Sequence, residues 1–151
     1  MSDQTGSAAS KPAQGYAGDI DARKAWEILQ TEKNSVLIDV RTRPEWEFVG
    51  VPDLAQLNKE TALVPWQVYP AMQVNAAFAD EVAKAGVAKD ATLLFICRSG
   101  ARSKSAAIAM TQAGFRTCYN VGGGFEGPPD GERHRGRLDG WKAQGLPWIQ
   151  G

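Results

Sequence analysis

The segment Ala91 to Ile96 is almost wholly apolar, and this constrains the fold more than any other stretch of the chain. It lacks the alternation of a strand that faces water on one side, so both of its faces must be covered, as in parallel sheets flanked by helices. Ser35 to Val40 and Thr117 to Val121 read as further strands. Helical spacing fills the intervals between them. Asp21 caps a helix running to about Gln30, with Ala22, Ala25, Trp26 and Leu29 on one face. Asn75 caps a second, with Phe78 and Val82 inward and Gly86 at its C-terminal end; a third runs from Ser103 to Gln112 and closes at Gly114. Alternating strands and helices predict an α/β protein, a three-layer α/β/α sandwich around a central parallel sheet. Function in such folds lies beyond the C-terminal ends of the strands. The loops after Asp39, Cys97 and Val121 are therefore expected to meet on one edge.

With 151 residues the chain has the size of one ordinary domain. Residues 1–14 are rich in Ser, Ala, Gln and Gly and are expected to form a disordered tail, leaving 15–151 as a single domain. Formal charge is balanced, 17 basic against 17 acidic residues, so no global field selects nucleic acid or a membrane as partner. No run approaches the ~18 apolar residues of a membrane span, and the N-terminus lacks a secretory pattern. Two cysteines cannot build a disulfide scaffold. The expected location is the cytoplasm.

The chemistry concentrates at Cys97, Arg98, Ser99, Gly100, Ala101, Arg102 and Ser103, directly behind the apolar strand. A cysteine at a strand end, followed by a tight basic loop and a helix, sits where loop N–H groups and the free N–H groups of the helix converge. Anions are favoured there. Thiols near helix N-termini and cations titrate at roughly 3.5–7.5 rather than ~8.5, which makes Cys97 the candidate nucleophile. Arg98, Arg102 and Lys104 add positive charge that suits a dianionic substrate. Cys118, in an apolar strand, reads as an inert core thiol.

The spacing of this segment resembles the active-site loop of the rhodanese-like sulfurtransferases, in which cysteine opens a six-residue loop, here Cys97 to Arg102. Val36-Leu37-Ile38-Asp39-Val40-Arg41 followed by Pro44-Glu45-Trp46-Glu47-Phe48 is similar to that family's strand, Asp-Val-Arg and short-helix signature. Asn120-Val121-Gly122-Gly123 is similar to its later strand end. Gly140-Trp141-Lys142 with Gly145-Leu146-Pro147-Trp148 is similar to its closing helix. The chain departs from the family at Gly50-Val51-Pro52-Asp53-Leu54, where many members carry a histidine after the glycine. The resemblance implies a rhodanese-like fold and a sulfurtransferase. Cys97 would take a sulfane sulfur from a donor such as thiosulfate, hold it as a persulfide, and pass it to a thiol, cyanide or a protein thiol. Asp39 and Arg41 are expected to support the site, most simply as an ion pair. Neither a metal nor an organic cofactor is expected.

Rival readings share parts of this sequence. A cysteine-dependent phosphatase or arsenate reductase uses a similar loop with one more residue before its arginine, so Ser103 would occupy the arginine's place. A rhodanese-like interaction module without activity would leave Cys97 idle. Gly122, Gly124 and Gly127 match a dinucleotide-binding spacing, but Pro128 and Pro129 forbid the helix that this motif requires. His134, the sole histidine, stands among Arg133, Arg135 and Arg137. Arg133, His134 and Arg135 are candidates for a basic lid over the site, with a solvated loop as the alternative. Val64-Pro65-Trp66, Tyr69 and the stretch from Gly123 to Arg137 are expected to form the pocket walls.

Overall fold

The computed structural model describes residues 15–150, apart from 69, 129–130 and 136–138. The apolar strand predicted above, Thr92–Ile96, lies at the centre of a five-stranded sheet. In chain order the strands of that sheet are β1 (Gly18–Ile20), β2 (Ser35–Asp39), β4 (Ala62–Leu63), β7 (Thr92–Ile96) and β8 (Thr117–Val121). Their spatial order is β1-β8-β7-β2-β4, and every pairing is parallel. In register, Asp39 stands beside Ile96 and Phe95 beside Asn120, so the loops after β2, β7 and β8 leave the sheet side by side.

Alternation along the strands divides the interior into two cores. Ile38, Leu93, Phe95 and Cys118 pack against α3 (Phe78–Lys84) and α4 (Ala101–Gln112) through Phe78, Val82, Ala106, Ala107 and Met110. Leu37, Leu94, Ile96 and Val121 pack against α1 (Ala22–Thr31) and the C-terminal segment through Ala25, Leu29, Phe125, Trp141 and Leu146. Helices thus cover both faces, and the three-layer α/β/α sandwich is the observed architecture. Asp21 caps α1 as expected, its side chain accepting from Lys24 N at 2.7 Å. A short helix, α2 (Arg43–Phe48), follows β2. Among the described residues no helix is long and apolar enough to cross a membrane.

Three local expectations differ from the structure. The helix expected from Ser103 begins at Ala101, because Gly100 turns the chain with φ 110° and serves as its cap. The helix expected after Asn75 begins at Phe78: the Asn75 carbonyl accepts from Phe78 N and its side chain from Ala77 N, forming a turn ahead of the helix. The closing segment is not a helix. Gly140 and Gly145 have positive φ and Pro147 follows, so only about one turn forms before Trp148–Ile149 pairs as β9 with β3 (Val51–Pro52), antiparallel. A small hairpin, β5 (Gln67–Val68) with β6 (Gln73–Val74), completes the elements.

Candidate active site

Cys97 follows β7 and is 1% exposed. Its Sγ accepts a hydrogen bond from Gly100 N at 3.1 Å. Ser103 Oγ, in the first turn of α4, lies 3.2 Å from the same sulfur. The loop can close this tightly only because position 100 is glycine: φ is 110°, and a Cβ there would run into the carbonyl of Gly122.

The glycine segment after β8 braces the loop from outside. Phe125 N donates to Cys97 O at 2.7 Å, while Glu126 N and Gly127 N donate to Arg98 O at 3.0 and 3.1 Å. Gly124 packs against the same Cys97 and Arg98 carbonyls with φ 67°, leaving no room for a side chain. The carbonyls of Cys97 and Arg98 are therefore engaged by the brace. The loop's Gly100 N–H and the first turn of α4 face the sulfur. This bracing is what Gly122, Gly124 and Gly127 do in place of opening a helix.

Asp39 and Arg41 form the expected ion pair, with both side chains fully buried. Arg41 Nε donates to Asp39 Oδ1 at 2.9 Å, and Nη2 donates to Asp39 Oδ2 and to Gly50 O, each at 2.6 Å. The guanidinium stacks 4.3 Å from the Phe125 ring centroid. The pair thus ties the loop after β2 to Gly50 and to the brace behind Cys97.

Arg102 is engaged by an acid on α2. Its Nη1 and Nη2 fork onto Glu45 Oε1 and Oε2 at 2.7 and 3.0 Å. Glu45 also accepts from Thr42 N at 3.1 Å, closing the first turn of α2. Burial pushes the Glu45 carboxyl up, but the bonds from Arg102 and Thr42 and the guanidinium charge outweigh it and bring it down to about 2. The bonds to Glu45 hold the Arg102 guanidinium above its ordinary value, against burial. Arg98 is exposed. Ser99 is exposed as well, while Ala101 opens the helix.

A cavity of about 380 Å³ opens beside the loop, lined by Arg98, Arg102, Glu45, Glu126, Gln67 and Met72 together with Val49. Its walls match the expected ones only in part: Glu126 comes from the stretch between Gly123 and Arg137, and the other expected residues that are described are not among them. Trp66 packs edge-on to Phe78 at 5.1 Å in the core, and Val64 is buried. Tyr69 and Arg137 lie outside the described residues. Of the candidate lid, Arg133 and His134 are exposed, and Arg135 Nη1 donates to Gly127 O at 2.8 Å. None of the three lines this cavity. A larger hollow of about 520 Å³, between Ser35 and Lys59, contains none of the loop's residues. Cys118 is wholly buried, and burial pushes its thiol up to about 11.

Three residues of this region were not singled out from the sequence. Asn120, 3% exposed, joins Ser103 to β1 through Asp19, and Glu45 neutralises Arg102. Asn120 left a signal: it is an amide within an otherwise covered strand. The links of Glu45 to Arg102 and of Asp19 to Asn120 left none, since those partners are far away in the sequence.

The cysteine loop at the C-terminal edge of a parallel sheet, in this three-layer order, defines a rhodanese-like fold. Within that class the chain belongs to the family described as the STR4 middle domain, whose family model matches residues 17–151. It is similar to Rv0390 from M. tuberculosis, whose crystal structure superposes with a TM-score of 0.82 at 46% identity, covering 90% of this chain and 99% of that one. Uncharacterized protein RC0915 of Rickettsia conorii is 37% identical over 133 residues, 86% of this chain and 95% of the relative. Thiosulfate sulfurtransferase GlpE of Pseudomonas savastanoi pv. phaseolicola is 33% identical over 95 residues, 63% of this chain and 73% of the relative.

Proposed function

We propose that the protein is a sulfurtransferase that carries a sulfane sulfur on Cys97 as a persulfide. The observation that carries this reading is the turning of the loop: the Cys97 and Arg98 carbonyls are bonded to the Phe125–Gly127 backbone while the Gly100 N–H donates to Sγ and Ser103 of the first turn of α4 lies against it. Donors fixed around a sulfur favour its anionic forms, which are the thiolate before attack and the persulfide after it. The Cys97 thiolate attacks the outer sulfur of a donor such as thiosulfate. A new S–S bond forms as the donor's own breaks, and its electron pair leaves with sulfite. A thiolate, free or on a protein, or cyanide then takes the outer sulfur and restores the Cys97 thiolate. The cycle balances without metal or organic cofactor.

Arg98, exposed at the cavity mouth, is the cation that meets an anionic donor, and Ser99, Ala101 and Ser103 complete the loop. Arg102 acts indirectly by fixing α2 to α4. Its fork onto Glu45 also opposes a phosphatase reading, which needs a guanidinium directed at a phosphate. A thiol that must remain reduced suits the cytoplasm.

Incubation with thiosulfate followed by peptide mass spectrometry tests the reading. One added sulfur is expected on the Cys97 peptide and none on that of Cys118, with loss of turnover in Cys97→Ser. Sulfur on Cys118, or hydrolysis of an aryl phosphate outpacing thiosulfate turnover, would overturn it.

A further inference from the structure

Behind the sulfur runs a polar chain that the transfer reaction does not itself require. Ser103 Oγ lies 3.2 Å from Cys97 Sγ and 2.5 Å from Asn120 Oδ1. Asn120 Nδ2 lies 2.9 Å from Asp19 Oδ1 and 3.1 Å from Gly100 O. Tyr16 donates to the same Asp19 oxygen at 2.9 Å. Ser103, Asn120 and Cys97 are all buried.

The directions of these bonds follow from counting hydrogens. Both partners of Asn120 Nδ2 are pure acceptors, a carboxylate and a carbonyl, so the NH2 group faces them and Oδ1 faces Ser103. An amide oxygen only accepts. Ser103 must therefore spend its single hydroxyl hydrogen on Asn120, at a short distance, and it presents lone pairs to the sulfur. In that arrangement the partner that suits Ser103 is a protonated thiol.

We propose that Asn120 is a positioning residue: it aims the Ser103 hydroxyl away from Cys97 while the sulfur is a thiol, and Ser103 turns its hydrogen to the sulfur, opening the Asn120 bond, once the sulfur becomes anionic. The thiol proton passes to water, and the Ser103 hydrogen stays on its oxygen throughout. Ser103 thereby becomes a second donor beside Gly100 N for a thiolate or persulfide. Asn120 makes that second bond conditional on the charge of the sulfur. The role for the persulfide rests on the sulfurtransferase reading; the switch on the thiolate does not.

Among the described residues, the charged and titratable groups on the elements around this sulfur are Arg98, Arg102 and Lys104 on its own loop and helix, Asp39 and its partner Arg41 after β2, Glu45 on α2, and Glu126 on the brace. Asp19 and Tyr16 lie behind Asn120. All are retained in the variants that test the proposal, so differences among them report the hydroxyl.

The pH profile of Cys97 alkylation by iodoacetamide is measured in wild type, Asn120→Ala, Ser103→Ala and the double variant. Asn120→Ala frees the hydroxyl to donate, so the midpoint is expected to fall by about one pH unit, making alkylation about tenfold faster below the wild-type midpoint. In the Ser103→Ala background the same change is expected to have no such effect. A midpoint that stays or rises in Asn120→Ala, or falls equally in both backgrounds, overturns the proposal. Wild type alone gives a second measurement that needs no Asn120 variant to fold. The infrared S–H band lost in Cys97→Ser is expected at the lowered frequency of a hydrogen-bond donor; a band at the unbonded frequency overturns the proposal. Neither measurement uses a sulfur donor, so failure to load sulfur from thiosulfate would remove the transferase reading and leave the switch intact.

Discussion

Glu45 gathers four hydrogen bonds, two from Arg102 and two from Thr42, while only about a fifth of its side chain is exposed. Its carboxyl is held at about 2, below the ordinary 4.5. A depressed carboxylate stabilises the fold fully above the unfolded value and loses that contribution as pH falls through the folded one. Glu45→Gln is therefore expected to cost on the order of 2 kcal/mol at neutral pH. The gap to wild type should shrink between pH 4.5 and about 2, read by urea unfolding at several pH values. A gap constant down to the acid limit would show that the carboxylate's charge is not what matters. At this scale the sequence reveals what is local. Cys97 and Gly100 announce a tight anion-binding loop by their neighbours, and Asp39 and Arg41 announce each other by standing two apart. Glu45 and Arg102 are 57 positions apart, and nothing in either segment names the other. Reading Arg102 as a substrate cation therefore missed a partner that only the fold supplies.

Among the elements, the join between β7 and α4 decides whether there is a site. Gly100 turns the chain, caps the helix, and aims its own N–H at Sγ. Gly100→Ala places a Cβ against the Gly122 carbonyl in a backbone region that L-residues rarely adopt. A loss of about 2–3 kcal/mol is expected from chemical unfolding, together with slower alkylation of Cys97. Gly131→Ala, which meets open space at ordinary φ, serves as the control and should leave both unchanged. Comparable losses in the two variants would sink the assignment. The longer elements β2, β7, β8, α1 and α4 were legible because five or more residues carry a readable period. The edge strands β1 and β4 and the paired fragments β3 and β9 have two or three residues each, too few for a period to appear. Their places are set by neighbours: β1 lies where β8 offers an open edge, and β9 where Gly50 and Val51 run beside the C-terminal segment.

Across the whole molecule, the two cores differ in how they reach the site. The core against α1 continues into the brace: Trp141 packs edge-on to Trp26 at 5.9 Å, and its backbone N donates to Gly124 O at 2.8 Å. Lys142 N donates to Phe125 O at 3.1 Å, and Phe125 N in turn holds the Cys97 carbonyl. The core against α3 and α4 includes Cys97 itself; within it Phe78 meets Trp66 and Phe95, and Phe78 makes no hydrogen bond to the loop or its brace among the described residues. Both aromatic side chains are buried, so Trp141→Ala and Phe78→Ala are each expected to cost about 3–5 kcal/mol. Their effects on chemistry should diverge. Trp141→Ala lets the segment from Gly122 to Gly127 relax, and the carbonyls of Cys97 and Arg98 are then less firmly held. Loading of Cys97 by thiosulfate, measured at a temperature where both variants remain folded, should fall by roughly tenfold in Trp141→Ala, given what small misplacements of a reacting group cost. Phe78→Ala should load at close to the wild-type rate. Equal loading in the two variants would mean that the brace does not transmit the order of the α1 core to the loop, and that loop geometry is held by Gly100 and the Asp39–Arg41 pair alone.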